Sequence, residues 1–578
     1  MIRADIYTAI EDRHDSAAVG RAFLSIIAGV QSAGITPAER DSLITSIIAD
    51  LADENITSTS SNSPVWRSWD EETYEAALEC VKVLSRSQAG SSSLSTPASI
   101  QILLFHAKGQ TKKATALTGG CKSQQSAVSA VCNTLLLHQN APELYAKAGY
   151  GDWAIKQLDE TDASTENERM WSFLMGRVVM ILTSRATYGF LGKMVDELEG
   201  LRILKRKLME VAQSPLVTYP AVAEYMKILY HVFALYPETQ GREWDHRFNE
   251  LASPVTDALL AFPKAELTSP FSNMINVLTR FSPIVLREIV QPSSRLLEGA
   301  SKIFDATRLF FERTLPPPPW KPGDVAPSEQ YESQLLESLD EVLPPPLLVL
   351  VNLINSSKAV KQRLKQRIIP SDLDRSPASL PLEERPDVLG HLLRLSRSAV
   401  NHVTAGAAGE LLWALCNEDD VEMIIASVLT EEIGYGNAAG ILFNKGIPVP
   451  PARGAKIEEI PEDNAEPNVA EPDFSRNPIT GLYQPENISL DPIADMTEEE
   501  KEQEAEKMMA LFDRMARNPT MQLVENPLKD AVRTGKIDEF EKLERDKELQ
   551  ELLKQEQEDE AEAEKEISDW KKRMGKAT

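Results

Sequence analysis

Apolar residues recur at helical spacing along most of the first 430 residues. Between Glu166 and Arg185 the apolar positions are Met170, Trp171, Phe173, Leu174, Val178, Ile181 and Leu182. Trp171, Leu174, Val178, Ile181 and Leu182 share one broad stripe of a 3.6-residue period, which predicts an amphipathic helix. Comparable stripes begin near residues 17, 38, 71, 95, 124, 190, 218, 241, 267, 294, 328, 345, 386 and 405. Short breaks such as Thr36-Pro37, Ser214-Pro215 and Ser282-Pro283 separate them, because proline tends to end or start a helix.

Paired, these helices form units of roughly 40 to 60 residues, a period compatible with HEAT or armadillo repeats. No sharp repeated motif accompanies the period. A helix pair cannot bury its stripe alone, whereas stacked pairs build one continuous core and a long concave surface. The expectation is an all-α, armadillo/HEAT-like α-solenoid over residues 1–446, with a set of ordinary helical domains as the alternative. Two segments interrupt it. Residues 54–64 are rich in Ser, Thr and Asn, and Pro316 to Pro319 open a loop that reads either as a crossing or as a polyproline ligand.

Near residue 446 the pattern changes. Residues 447–495 are rich in Pro, Glu and Asp without apolar periodicity, and read as an extended acidic linker. Helical spacing returns at 496–520. Thr497 and Glu500 make a capping-box pattern, and Ala505, Met508, Met509, Leu511, Phe512 and Met515 form an amphipathic face. Such a methionine-rich face suits docking on a partner or folding back on the array. Residues 521–578 are a charged C-terminal tail, either a solvated helix or partly disordered.

Composition narrows the classes. The 578-residue chain is too long for one compact core. Only 6% of it is aromatic, while Leu and Ala abound, which favours helices. A net charge of -27 argues against nucleic acid or an anionic membrane surface as the main partner. It suits a basic partner, or solubility alone. Cys80, Cys121, Cys132 and Cys416 form no C-x-x-C pair and read as thiols in a reducing compartment. The N-terminus lacks an apolar signal core. The longest apolar run, around Leu347 to Ile354, is far short of the roughly 20 residues of a membrane span. The expectation is a soluble, cytoplasmic protein.

No catalytic constellation stands out. P-loop, H-E-x-x-H and G-x-S-x-G patterns are absent, and the seven histidines are scattered. Three features rise above background. Gly434, Tyr435, Gly436, Asn437 and Gly440 lie in a small-residue turn that permits positive φ and close helix approach. A phosphate-binding loop is discounted there because no Lys or preceding strand accompanies it. Lys358, Lys361, Arg363, Lys365 and Arg367 form a basic cluster in which Lys361/Lys365 and Arg363/Arg367 are i,i+4 pairs. That face could take a carboxylate, or be an ordinary solvated helix surface. The third feature is the 496–520 helix.

Several stretches in order resemble the synembryn family. They are Glu410-Leu-Leu-Trp-Ala-Leu-Cys416, Gly434-Tyr-Gly-Asn-Ala-Ala-Gly440, Asn477-Pro-Ile-Thr-Gly481, Met496-Thr-Glu-Glu-Glu-Lys501 and Leu511-Phe-Asp-Arg514. Upstream, Leu364-Lys-Gln-Arg-Ile-Ile-Pro370 and Leu392-Leu-Arg-Leu395 are similar, so the clear resemblance covers about 355 to 520.

The resemblance implies a guanine nucleotide exchange factor and folding chaperone for the α subunits of heterotrimeric G proteins (Gα). It needs no cofactor or metal, performs no covalent catalysis, and reaches the cell cortex through Gα. Its concave face would capture the C-terminal helix of Gα. Lys361, Arg363, Lys365 and Arg367 would meet that helix's carboxylate. Met508, Leu511, Phe512 and Met515 would touch the switch region or nucleotide-binding domain of Gα, and the Gly434–Gly440 turn would be structural. The runner-up is an armadillo-type peptide-binding scaffold without exchange activity. Animal members carry Ser/Thr phosphosites in the acidic linker. Here Lys456 to Phe474 contains neither residue, so fixed carboxylates would take over part of that electrostatic role.

Overall fold

Helix starts follow their local chemistry. Thr36 accepts from the Glu39 amide while the Glu39 side chain returns to the Thr36 amide, and Pro37 occupies the first helical position. Thr165 and Glu168 repeat the same reciprocal cap. Asp70, Thr96, Ser282 and Asp387 cap their helices by accepting from a backbone amide three residues on.

The computed structural model describes residues 5–447 apart from 33, 54–63, 110–119, 163, 185–188, 215–219, 242, 316–338, 376–379, 399–400 and 418–421. The expected 316–319 loop, the linker beyond 447, the 496–520 helix and the 521–578 tail lie outside these residues. Among the described residues there is no strand. The helices are α1 (Asp5–Thr8), α2 (Ser16–Ser32), α3 (Pro37–Asp50), α4 (Glu71–Leu84), α5 (Pro97–Ala107), α6 (Lys122–Leu137), α7 (Ala141–Lys147) and α8 (Tyr150–Glu160). They continue with α9 (Glu166–Thr183), α10 (Phe190–Asp196), α11 (Gly200–Gln213), α12 (Pro220–Thr239), α13 (Ala252–Ala261), α14 (Phe271–Leu278) and α15 (Pro283–Ile289). The last are α16 (Ser294–Thr314), α17 (Pro344–Ser356), α18 (Lys358–Ile368), α19 (Val388–Ser396), α20 (His402–Cys416), α21 (Glu422–Ile433) and α22 (Tyr435–Asn444).

Two rows emerge from their packing. α2, α4, α6, α9, α12, α14, α17 and α20 each pack on the next, and α8, α11, α13, α16 and α18 form a second row against them. This nearest-neighbour ladder is an α-solenoid: each helix buries its stripe on its neighbours, and one apolar core runs from Tyr7 to Ile447. The repeat is one of packing rather than of sequence. Polar bridges fix the spacing along the first row. Asn133 donates to Ser85 Oγ at 2.9 Å, Arg280 to the Phe233 carbonyl at 3.4 Å, and Asn352 to the Phe281 carbonyl at 3.3 Å.

Cys80, Cys132 and Cys416 are buried in this core, and no disulfide joins any of the four cysteines. No described helix is long and apolar enough to cross a membrane.

Candidate functional site

The basic cluster lies on α18, whose Val360, Leu364 and Ile368 are buried and orient the rest of the helix. Its five cations do not form one open face. Lys361 donates to the Asn417 carbonyl at the C-terminal end of α20, where a helix dipole favours a cation. Lys365 pairs with Glu432 on α21 at 3.6 Å. Arg367 pairs with Asp305 on α16 and lies 4.1 Å over the Phe304 ring. Arg363 is exposed. The i,i+4 spacing thus sends Lys361 and Lys365 towards α20 and α21, while Arg367 points to α16. Charge reversal at Lys361 or Lys365 would disturb packing as well as any partner, so Arg363 is the cleaner position to change.

The small-residue turn joins α21 to α22. Gly434 has φ 81° and ψ 151°, a conformation open to glycine and costly for other residues. Its amide donates to the Thr430 carbonyl at 2.9 Å, and its carbonyl accepts from Ala438 at 3.0 Å, so one residue closes α21 and opens α22. Asn437 is buried. Its side-chain amide donates to the Ile433 carbonyl at 2.9 Å and to Glu383 at 3.2 Å, tying the turn to the segment before α19. Tyr435 is half-buried, while Gly436 and Gly440 are exposed. α22 then ends in a Schellman motif: Gly446 at φ 67° donates to the Phe443 carbonyl, and Ile447 donates to that of Leu442. Gly434→Ala is expected to cost about 1–3 kcal/mol. A urea midpoint unchanged from the parent would show that the turn relaxes freely.

Met508, Leu511, Phe512 and Met515 fall outside the described residues.

A further surface escaped the sequence reading. On α9 the buried stripe leaves Met170 (40% exposed), Phe173 and Arg177 on the outward side, spaced i, i+3 and i+7. The Arg177 guanidinium lies 5.7 Å from the Phe173 ring centroid. On the neighbouring α12, Lys227 and Tyr230 (40% exposed) face outward, and Arg280, just after α14, lies 5.7 Å over Tyr230. Two successive helices of the first row, α9 and α12, therefore present aromatic or methionine side chains interleaved with cations, with Arg280 beside them, within a chain of net charge -27. The signal was in the sequence: Met170 and Phe173 are apolar but lie off the stripe. Without packing neighbours, nothing distinguished them from core.

The sequence model of the family described as guanine nucleotide exchange factor synembryn matches residues 77–536. The chain belongs to the synembryn family. That match runs from within α4 through α22, including the outward face of α9 and α12, so the likeness reaches well upstream of residue 355.

Similar proteins include the Chaperone Ric-8 of Drosophila pseudoobscura pseudoobscura, 28% identical over 318 residues, which cover 51% of this chain and 52% of that protein. The Chaperone Ric-8A of Rattus norvegicus is 26% identical over 368 residues, covering 60% and 62%. That of Danio rerio is 23% identical over 486 residues, covering 77% and 81%. Against the first two of these synembryn-like relatives, the chain spans between half and two thirds of their length.

Proposed function

We propose that this chain is a guanine nucleotide exchange factor and folding chaperone for Gα subunits, acting in the cytoplasm and reaching the cell cortex through Gα. The observation that carries this reading is the family match across 77–536, which begins within α4 and includes every later helix of the ladder. A row of packed helices with an outward face of apolar and cationic side chains suits an amphipathic helix, the form in which a Gα C-terminus would be held.

The mechanism needs no covalent step. The C-terminal helix of Gα normally packs against its nucleotide-binding domain and steadies the loop at the guanine base. A surface that binds the helix only after it leaves that position favours the Gα state with a loosened nucleotide site. Exchange then follows from differential affinity for the two states. The same grip on a nascent Gα covers apolar surface until nucleotide arrives, which is the chaperone role. The 496–520 helix, through Met508, Leu511, Phe512 and Met515, contacts the switch region or nucleotide-binding domain of the same Gα.

GDP release from a purified Gα is the direct test. The full chain is expected to accelerate release and to form a stable complex with nucleotide-free Gα. If it does neither, the reading fails and a peptide-binding scaffold takes its place. A chain lacking 496–578 that retains full exchange activity would remove the C-terminal helix from the mechanism.

A further inference from the structure

α22 is the last described helix of the ladder, and its two sides differ. On the inner side Asn437, Ala438, Ile441 and Leu442 are buried, with α19, α20 and α21 packed against the helix. Gly436, Ala439, Gly440 and Phe443 share the outer side at i, i+3, i+4 and i+7; Ala439 is half-exposed and the other three are exposed. Phe443 is 80% exposed, the most of any large apolar side chain among the described residues. A Cβ added at Gly440 would meet nothing within 4 Å. From Tyr435 to Asn444 there is no charged side chain. The terminal unit of a solenoid needs a polar outer face to stay soluble, and this one is small and apolar instead.

The chain turns back as it leaves α22. The Schellman motif at Gly446 brings Ile447 onto the helix, where it is 8% exposed and joins the apolar core. Residues 448–578 follow from that point. Between 448 and 484 the densest run of large apolar side chains is Phe474, Ile479, Leu482 and Tyr483, and Arg476 is the one charged residue from 474 to 483. Residues 456–473 carry seven carboxylates, whose desolvation against Phe443 no cation on α22 offsets. Asn477-Pro478 and Gly481 favour an extended or turning chain over a helix, and the glycines of α22 let such a backbone approach closely. Reach is no obstacle. Residues 448–473 extend by roughly 3.4 Å each, whereas α22 is only about 15 Å long.

We propose that residues 474–483 lie extended across the outer face of α22, with Phe474, Ile479 and Leu482 packed around Phe443 and over Gly436 and Gly440. The segment supplies the outer layer that α22 lacks, within one chain and with no partner needed. The proposal goes beyond the Gα reading and does not depend on it.

Trypsin digestion of the full chain tests this, because Arg476 lies within the docked segment while Arg453 and Lys456 lie before it. Each cleavage is timed against the same bond in synthetic peptides of residues 448–462 and 468–486, so that local sequence preference cancels. Cleavage after Arg476 is expected to be slowed about tenfold or more, following the population of the undocked segment, while cleavage after Arg453 and Lys456 is not slowed. Phe443→Ser, at an exposed position, should restore the peptide rate at Arg476 and leave the rate at Arg453 unchanged. Leu482→Ser should do the same from the other side of the contact.

Cleavage after Arg476 at the peptide rate in the unaltered chain overturns the proposal without recourse to any variant. Slowing that survives Phe443→Ser also overturns it, since the segment then rests on another surface. Slowing that fades when the chain is diluted assigns the face of α22 to a second copy of the chain and overturns it equally.

Discussion

Replacing Arg375 with Met should lower the unfolding free energy by about 3 kcal/mol, among the largest effects expected of any single change in the array. The Arg375 side chain is 3% exposed. It reaches from the stretch after α18 to the end of α21, donating to the Glu432 carbonyl at 2.9 Å and to its carboxyl at 3.2 Å. Lys365 approaches the other Glu432 oxygen at 3.6 Å, so one acid gathers α18, α21 and the segment between them. Without Arg375, Glu432 keeps a weaker share of its cations, and the last carbonyls of α21 lose a donor. Breaking a buried pair from one side is expensive, whereas replacing both members by apolar groups is often close to neutral. The double variant Arg375→Met, Glu432→Leu should therefore recover a large part of the loss. Urea midpoints of the two single variants and the double variant check this. If the double variant is as unstable as the sum of the singles, the coupling is absent.

Acid should destabilise the array between about pH 6.5 and pH 4, through two histidines held neutral. His106 accepts from the Tyr74 hydroxyl at Nδ1, 2.7 Å away, and donates from Nε2 to the Leu51 carbonyl at 2.8 Å. It thereby joins α5 to α4 and to the end of α3. Burial pulls its pKa down to about 4, against partial support for the charged form from the Leu51 carbonyl and Asp53. His391 is also lowered to about 4, by burial first and then by Arg394, which donates to its Nδ1 at 2.8 Å.

In the unfolded chain both titrate near 6.5, so below that pH the unfolded state binds more protons. The stability they lend is fully present above pH 6.5 and is lost progressively down to about 4, by about 3 kcal/mol for each. The melting temperature should fall across that window. A His106→Asn variant should start lower at pH 7 but decline less steeply. An equally steep decline in that variant would place the acid sensitivity elsewhere.

The parts legible in the sequence are those decided by local chemistry. The five stripe residues of α9 are all buried, and the Thr36 and Ser282 caps begin helices beside the prolines that announced them. The stripe drawn from about 241 instead resolves into a short 3-10 turn, His246–Leu251, leading into α13. Short helices such as α7 and α15 carry about two turns each, too few to establish a period. The α18 cluster shows the limit most clearly. Spacing put Lys361 with Lys365 and Arg363 with Arg367, but only the positions of Asn417, Glu432 and Asp305 on other helices decide which cations stay open. The face of α9 and α12 was hidden for the opposite reason: Phe173 and Tyr230 resemble core residues until their neighbours are known.

The ladder also has a mechanical meaning. Each helix of the first row rests on the one before it, through apolar contacts and polar bridges such as those of Asn133, Arg280 and Asn352. Interfaces of this kind work as hinges in series. A rotation too small to disturb any one of them adds along the row, so the array can behave as a spring that gives way gradually under a load instead of snapping at one joint.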